Sequence, residues 1–94
     1  LPFRGRTILG NIDRLVVGAD AVAVIDYKSN AVVPDRPDQV PEGYLRQLGA
    51  YAVAAAALFP GRRIQAHVLW TATAQLMPLD PEIVSAALDR AAIP

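Results

Sequence analysis

The sequence has no cysteine, only one lysine, one histidine and one tryptophan, and no charge of either sign to spare, since 9 basic residues balance 9 acidic ones. The absent cysteines exclude a disulfide framework, Cys-ligated zinc, iron–sulfur clusters and thiol catalysis together. The zero net charge excludes a global pull toward nucleic acid, so any such contact must come from local clusters or from a neighbouring domain. No run approaches the roughly 18 consecutive apolar residues of a membrane span, and the alanine-rich stretch from Ala50 to Phe59 is too short for one. A basic segment followed by an apolar one, as in a secretory signal, is also missing. The expectation is a soluble, cytoplasmic protein with no membrane partner.

What remains is the composition of one small globular domain: 94 residues, of which 53% are apolar. A chain of this size buries only roughly two-thirds of its unfolded surface, so part of its apolar surface is expected to need a partner. It opens at Leu1 without Met, and within strand-like material from Phe3 to Leu9, the way an excised piece begins. Residues 1–94 are therefore read as one partial domain from the C-terminal part of a longer chain.

Two further strands are predicted, Ile12 to Val17 and Val22 to Lys28. They are separated by Gly18-Ala19-Asp20-Ala21, a hairpin-like turn, so the natural arrangement is an antiparallel meander. Asn30, Pro34, Asp35, Pro37, Asp38 and Pro41 make the stretch from Ser29 to Pro41 a long exposed loop. Tyr44, Leu48, Tyr51, Ala55 and Leu58 recur at helical spacing after Glu42, and Pro60-Gly61 closes that helix. Its other faces are mostly alanine, so it is expected to pack on two sides. A strand follows over Ile64 to Thr71, then a short one near Gln75 to Leu79. Asp80-Pro81-Glu82 opens a last helix carrying Ile83, Ala86, Ala87, Arg90 and Ala91. The fold class is α/β, of the α+β mixed-sheet kind: β-meander, helix, strands, C-terminal helix.

Two acids stand where acids are scarce. Asp13 lies in an apolar stretch, and Asp26 ends the run Ala21-Val22-Ala23-Val24-Ile25, which has the look of a strand buried on both faces. The period of two puts Val22, Val24, Asp26 and Lys28 on one face. A turn centred between Ala19 and Asp20 pairs Val17 with Val22 and, counting outward, Asp13 with Asp26. Opposed residues have Cβ atoms about 5 Å apart, and two like charges there need something positive between them. A divalent cation fits, and oxygen ligands without Cys or clustered His select Mg²⁺ or Mn²⁺ over zinc. One turn residue more or less would put the two acids on opposite faces. Lys28 is the only lysine beside eight arginines, which points to a compact point charge able to hold a metal-bound water or meet charge growing on a phosphate. The plainer alternative makes Asp13, Asp26 and Lys28 a salt-bridge cluster at a strand end.

Gln47 and Tyr51 share a helix face, with Tyr44 one turn earlier. They reach over the strand ends, or else the tyrosines are core anchors and Gln47 a surface residue. His67 falls on a sheet surface and receives no role. Arg14, Arg36, Arg46, Arg62 and Arg63 are candidates for phosphate contact, or ordinary solvated charge.

Taken together, Gly10-Asn11-Ile12-Asp13-Arg14-Leu15, Val24-Ile25-Asp26-Tyr27-Lys28-Ser29-Asn30 and Tyr44-Leu45-Arg46-Gln47-Leu48-Gly49-Ala50-Tyr51 resemble, in order and spacing, the RecB-type nuclease domain of the PD-(D/E)XK superfamily. Pro60-Gly61-Arg62 and Leu69-Trp70-Thr71 resemble the C-terminal end of AddA-type helicase–nuclease subunits of bacterial double-strand break repair. The alanine-rich, arginine-over-lysine composition suits a GC-rich bacterial source. The resemblance covers about Arg4 to Leu79 and implies a restriction-endonuclease-like core. It implies metal ligation by Asp13 and Asp26, catalytic roles for Lys28, Gln47 and Tyr51, Mg²⁺ dependence, and DNA fed by an ATP-driven helicase motor of the same full-length chain, beside a second helicase–nuclease subunit. Ser29 stands where many relatives carry Thr, which keeps the hydroxyl. Relatives also have an upstream helix that contributes a histidine and often an acid, and this chain begins after it. That implies weak metal binding and raises the prospect that the piece alone is inactive. Two alternatives stay open: a non-catalytic scaffold or DNA-interaction module packed on a helicase, and a Cas4-like or phage-type exonuclease.

Overall fold

The computed structural model describes residues 12–92 of the chain, with the backbone alone for Ala92. The first predicted strand, Phe3 to Leu9, lies outside the described residues. Four strands and two helices follow: β1 (Arg14–Val17), β2 (Ala21–Lys28), α1 (Glu42–Leu58), β3 (Arg63–Trp70), β4 (Gln75–Leu79) and α2 (Pro81–Ala92). The strands form one sheet in the order β1-β2-β3-β4. β2 runs antiparallel to β1 and parallel to β3, while β4 is antiparallel to β3.

The hairpin follows from its turn. Gly18 N–H donates to the carbonyl of Ala21 at 2.8 Å, and the ladder pairs Val17 with Val22 and Arg14 with Ile25. Because β2 and β3 are parallel, their connection must cross over the sheet, and α1 is that crossover. Gly61 supplies the sharp exit after α1, at φ +82°, a left-handed conformation that costs glycine little.

Alternation assigns one sheet face to Val22, Val24, Ala66, Val68, Trp70, Met77 and Leu79, all buried. α1 covers this face with Leu45, Leu48, Tyr51 and Ala55, and α2 packs beside it through Val84 and Ala87. So α1 does pack on two sides, against the sheet and against α2.

Two expectations need correction. β2 is buried on one face only: Val16, Tyr27 and Leu76 on the other face are 47%, 42% and 51% exposed, and among the described residues no helix covers them. The stretch from Ser29 to Pro41 is not wholly open. It contains a 3₁₀ turn at Pro37–Gln39 and ends on Val40, which is buried, because an apolar residue just ahead of a helix can enter the core with it. In α2 the deepest residues are Val84 and Ala87, whereas Arg90 and Ala91 are exposed, because α2 meets α1 along its Val84–Ala87–Leu88 side. Arg90 instead reaches back to Glu42, each donating nitrogen lying 2.8 Å from a carboxylate oxygen. Among the described residues no helix is long and apolar enough to cross a membrane.

The α1–α2 contact depends on one missing side chain. A Cβ on Gly49 would sit 2.8 Å from the carbonyl oxygen of Val84 and 3.2 Å from Cβ of Leu88. Gly49→Ala adds helix propensity worth about 1 kcal/mol, but the oxygen it strikes is backbone and cannot rotate away. The clash is expected to win, with a net loss of about 1–2 kcal/mol in urea unfolding.

Candidate active site

β2 builds the site by running from apolar to charged on one face. Val22 and Val24 are fully buried and Asp26 is 3% exposed, and the next same-face position, Lys28, stands at the rim with its side chain 19% exposed. An acid so deep needs a counter-charge, and the pleat places one two residues on. Lys28 Nζ lies 2.8 Å from Asp26 Oδ2, and the ammonium is the one positive group against this buried oxygen among the described residues.

α1 supplies the second support. Lys28 Nζ donates to Gln47 Oε1 at 3.0 Å, and Gln47 Nε2 donates to Tyr51 Oη at 2.8 Å. The i, i+4 spacing makes that chain possible, since it aligns Gln47 and Tyr51 along the helix. The amide of Gln47 is thereby oriented with its oxygen toward the cation. Thr71, just past β3, holds the backbone beneath: its N–H donates to the carbonyl of Lys28 at 2.9 Å.

Asp13 lies immediately before β1. Continuing the ladder by one residue sets it opposite Asp26, as the turn length requires. Its carboxylate is exposed, and Oδ2 accepts a hydrogen bond from the backbone N–H of Tyr27 at 2.8 Å. The two acids therefore differ in environment. Burial pushes the Asp26 carboxyl above its ordinary 3.8; the Lys28 ammonium pulls it back, and the neighbouring Asp13 carboxylate raises it again.

The structure thus brings Asp13, Asp26, Lys28, Gln47 and Tyr51 into one connected group. It does not bring in Arg14 or Arg46. Arg14 pairs with Ile25 and so faces away from Asp26 across the sheet. Arg46 is exposed on α1, its charge felt by Glu42 one turn back. His67 also lies on the far face, paired with Ile25 and Pro78. Burial lowers its pKa from 6.5, keeping the ring neutral. Two residues absent from the predicted site adjoin it. Tyr44 places its ring 4.3 Å from Lys28 Nζ, and Asn30 accepts a hydrogen bond from the Tyr44 hydroxyl at 3.1 Å. The signal for Tyr44 was its place one turn before Gln47, and for Asn30 its place two residues after Lys28 in the same motif.

The donor set suits a hard divalent ion. Two carboxylates converge, one solvent-facing and one buried beside the Lys28 ammonium, and Mg²⁺ commonly takes one or two carboxylates while keeping its waters. Among the described residues no group of three or more His, Cys, Asp or Glu converges.

A mixed four-stranded sheet carrying an acid and a lysine two apart on its buried face is the core of a restriction-endonuclease-like nuclease fold. The model of the PD-(D/E)XK nuclease superfamily matches residues 1–92. The chain belongs to that superfamily. No curated protein and no solved structure gives a significant match.

The buried acid has a consequence for stability. Its folded pKa lies above its unfolded value, so the folded state holds the proton more tightly, and stability falls as pH rises from about 4 through the raised value. In metal-free urea titrations across that range, Asp26→Asn is expected to flatten this fall and to leave the protein more stable than wild type at neutral pH.

Proposed function

We propose that this domain hydrolyses DNA phosphodiester bonds with Mg²⁺ or Mn²⁺ held by Asp13 and Asp26. The observation that carries the proposal is the convergence of those two carboxylates beside a lysine that Gln47 and Asp26 both hold. A bound divalent ion would supply hydroxide at neutral pH and polarise the phosphate. Lys28 presents a fixed positive charge where negative charge grows on the phosphoryl oxygens as water adds and the P–O bond breaks. Gln47, oriented by Tyr51, keeps that ammonium at the rim.

The finer reading rests on the motif resemblance. The 94 residues are proposed as a partial nuclease domain of an AddA-type helicase–nuclease, acting as an exonuclease in double-strand break repair and recombination in the bacterial cytoplasm. DNA, the helicase motor of the same full-length chain and a second helicase–nuclease subunit are its partners. A second reading has one observation in its favour: only two carboxylates converge among the described residues, which suits a scaffold or DNA-interaction module whose acids are a structural charge cluster.

Cleavage of linear DNA tests the first reading. Asp26→Ala is expected to lower the rate at least about a hundredfold, equivalent to about 2.7 kcal/mol of transition-state stabilisation, with the circular dichroism spectrum unchanged. Undiminished cleavage overturns the assignment. Metal binding separates the two readings without any activity. Mn²⁺ at about a hundred times its Kd stabilises a folded site by about 2.7 kcal/mol, so the melting temperature of wild type should rise and that of Asp13→Asn should not. A melting temperature unmoved by Mn²⁺, together with an Asp13→Asn protein more stable than wild type, favours the scaffold.

A further inference from the structure

We propose that Tyr44 is a positioning residue for Lys28, acting through the face of its ring and not through its hydroxyl; its catalytic consequence rests on the nuclease reading above. A lysine has a flexible four-carbon stem and three donors, so one ion pair does not fix where its ammonium sits. Here three groups surround it: Asp26 Oδ2 at 2.8 Å, Gln47 Oε1 at 3.0 Å and the Tyr44 ring with its centroid at 4.3 Å. The ring is itself held from two sides. Its hydroxyl donates to Asn30 Oδ1 at 3.1 Å, and its body rests on Trp70, 6.4 Å between centroids and tilted by 43°. Trp70 is fully buried, so this wall does not move with solvent.

A core anchor alone would need only apolar bulk at this position. The ring offers more, because its negative face attracts a cation, and most strongly where water is partly excluded, as at Lys28. The ring also matters most when the acid is otherwise engaged. If the carboxylate of Asp26 turns to a metal ion, Lys28 gives up one of its three partners, and Gln47 and Tyr44 remain to keep the ammonium beside the reacting phosphate.

The single lysine makes the test direct, since protein labelled only at lysine Cε shows a single Cε resonance. Protons on Cε held over a ring face are shifted upfield. That shift is expected in wild type and in Tyr44→Phe, and lost in Tyr44→Leu. DNA cleavage should stay within about twofold of wild type in Tyr44→Phe and fall about tenfold in Tyr44→Leu, in kcat and not in KM. A Tyr44→Leu resonance that stays in place overturns the proposal, and so does a Tyr44→Phe protein that loses the shift as completely as Tyr44→Leu. Should Tyr44→Leu fail to fold, wild type decides: Cε protons at the position of free lysine overturn the contact. A wild type that cuts no DNA counts against the nuclease reading alone, while the resonance still decides whether Tyr44 holds the ammonium.

Discussion

One ion pair sets the terms for this structure. Asp26 is 3% exposed, on the same face as Val22 and Val24 and beside Val68 on the next strand, and a carboxylate there loses nearly all of its hydration. Only the Lys28 ammonium at 2.8 Å offsets that loss directly, and only in part, since the pKa of the acid stays raised. The pair is intrinsic to β2, because residues two apart on a strand share a face. It is incomplete without α1, because Lys28 stands at the rim and depends on Gln47 for its second acceptor. Docking of α1 therefore does two things with adjacent residues: Leu45 and Leu48 enter the core, and Gln47 and Tyr51 form a polar chain that ends on the cation.

Asp13 makes the cluster electrostatically unbalanced. Two carboxylates against one ammonium leave an excess negative charge, which adds to the rise in the Asp26 pKa that burial chiefly causes. The exposed acid is anchored differently, by a backbone N–H at the strand end. A cavity of about 210 Å³ bounded by Val53, Ile64, Val84 and Leu88 separates α1, α2 and the sheet elsewhere in the molecule, and the contact that closes α1 onto α2 runs through Gly49. Stability and chemistry thus draw on different faces of the same stretch of α1: Gln47 and Tyr51 face the charged rim, and Gly49 between them faces α2.

Much of this could be anticipated from short-range order. The two-residue turn set the hairpin register, so Asp13 falls opposite Asp26. The strand period put Asp26 and Lys28 together, and the helix period did the same for Gln47 and Tyr51. The errors fall where a neighbour came from far along the chain. Both faces of β2 read as buried because both are apolar, yet only one receives a helix among the described residues. Arg14 and Arg46, candidates for phosphate contact, stand outside the acid–lysine group, Arg14 because alternation on β1 turns it to the face opposite Asp26. Tyr44 read equally well as a core anchor, since aromatic residues at helical spacing serve both purposes.

Local covalent geometry explains what the amino-acid sequence determined by itself: turn length, pleat and helical pitch dictate which side chains are neighbours within a hairpin, a strand or a helix turn. Tertiary structure alone decided that Asp26 is buried while Asp13 is not, that Gln47 meets Lys28, and that a tyrosine ring lies over the ammonium. Those outcomes depend on how α1 is rotated and seated on the sheet, and that is set by the summed packing of Leu45, Leu48, Ala55, Val68, Trp70 and Val84, residues from three separate elements of the chain, no one of which encodes the result.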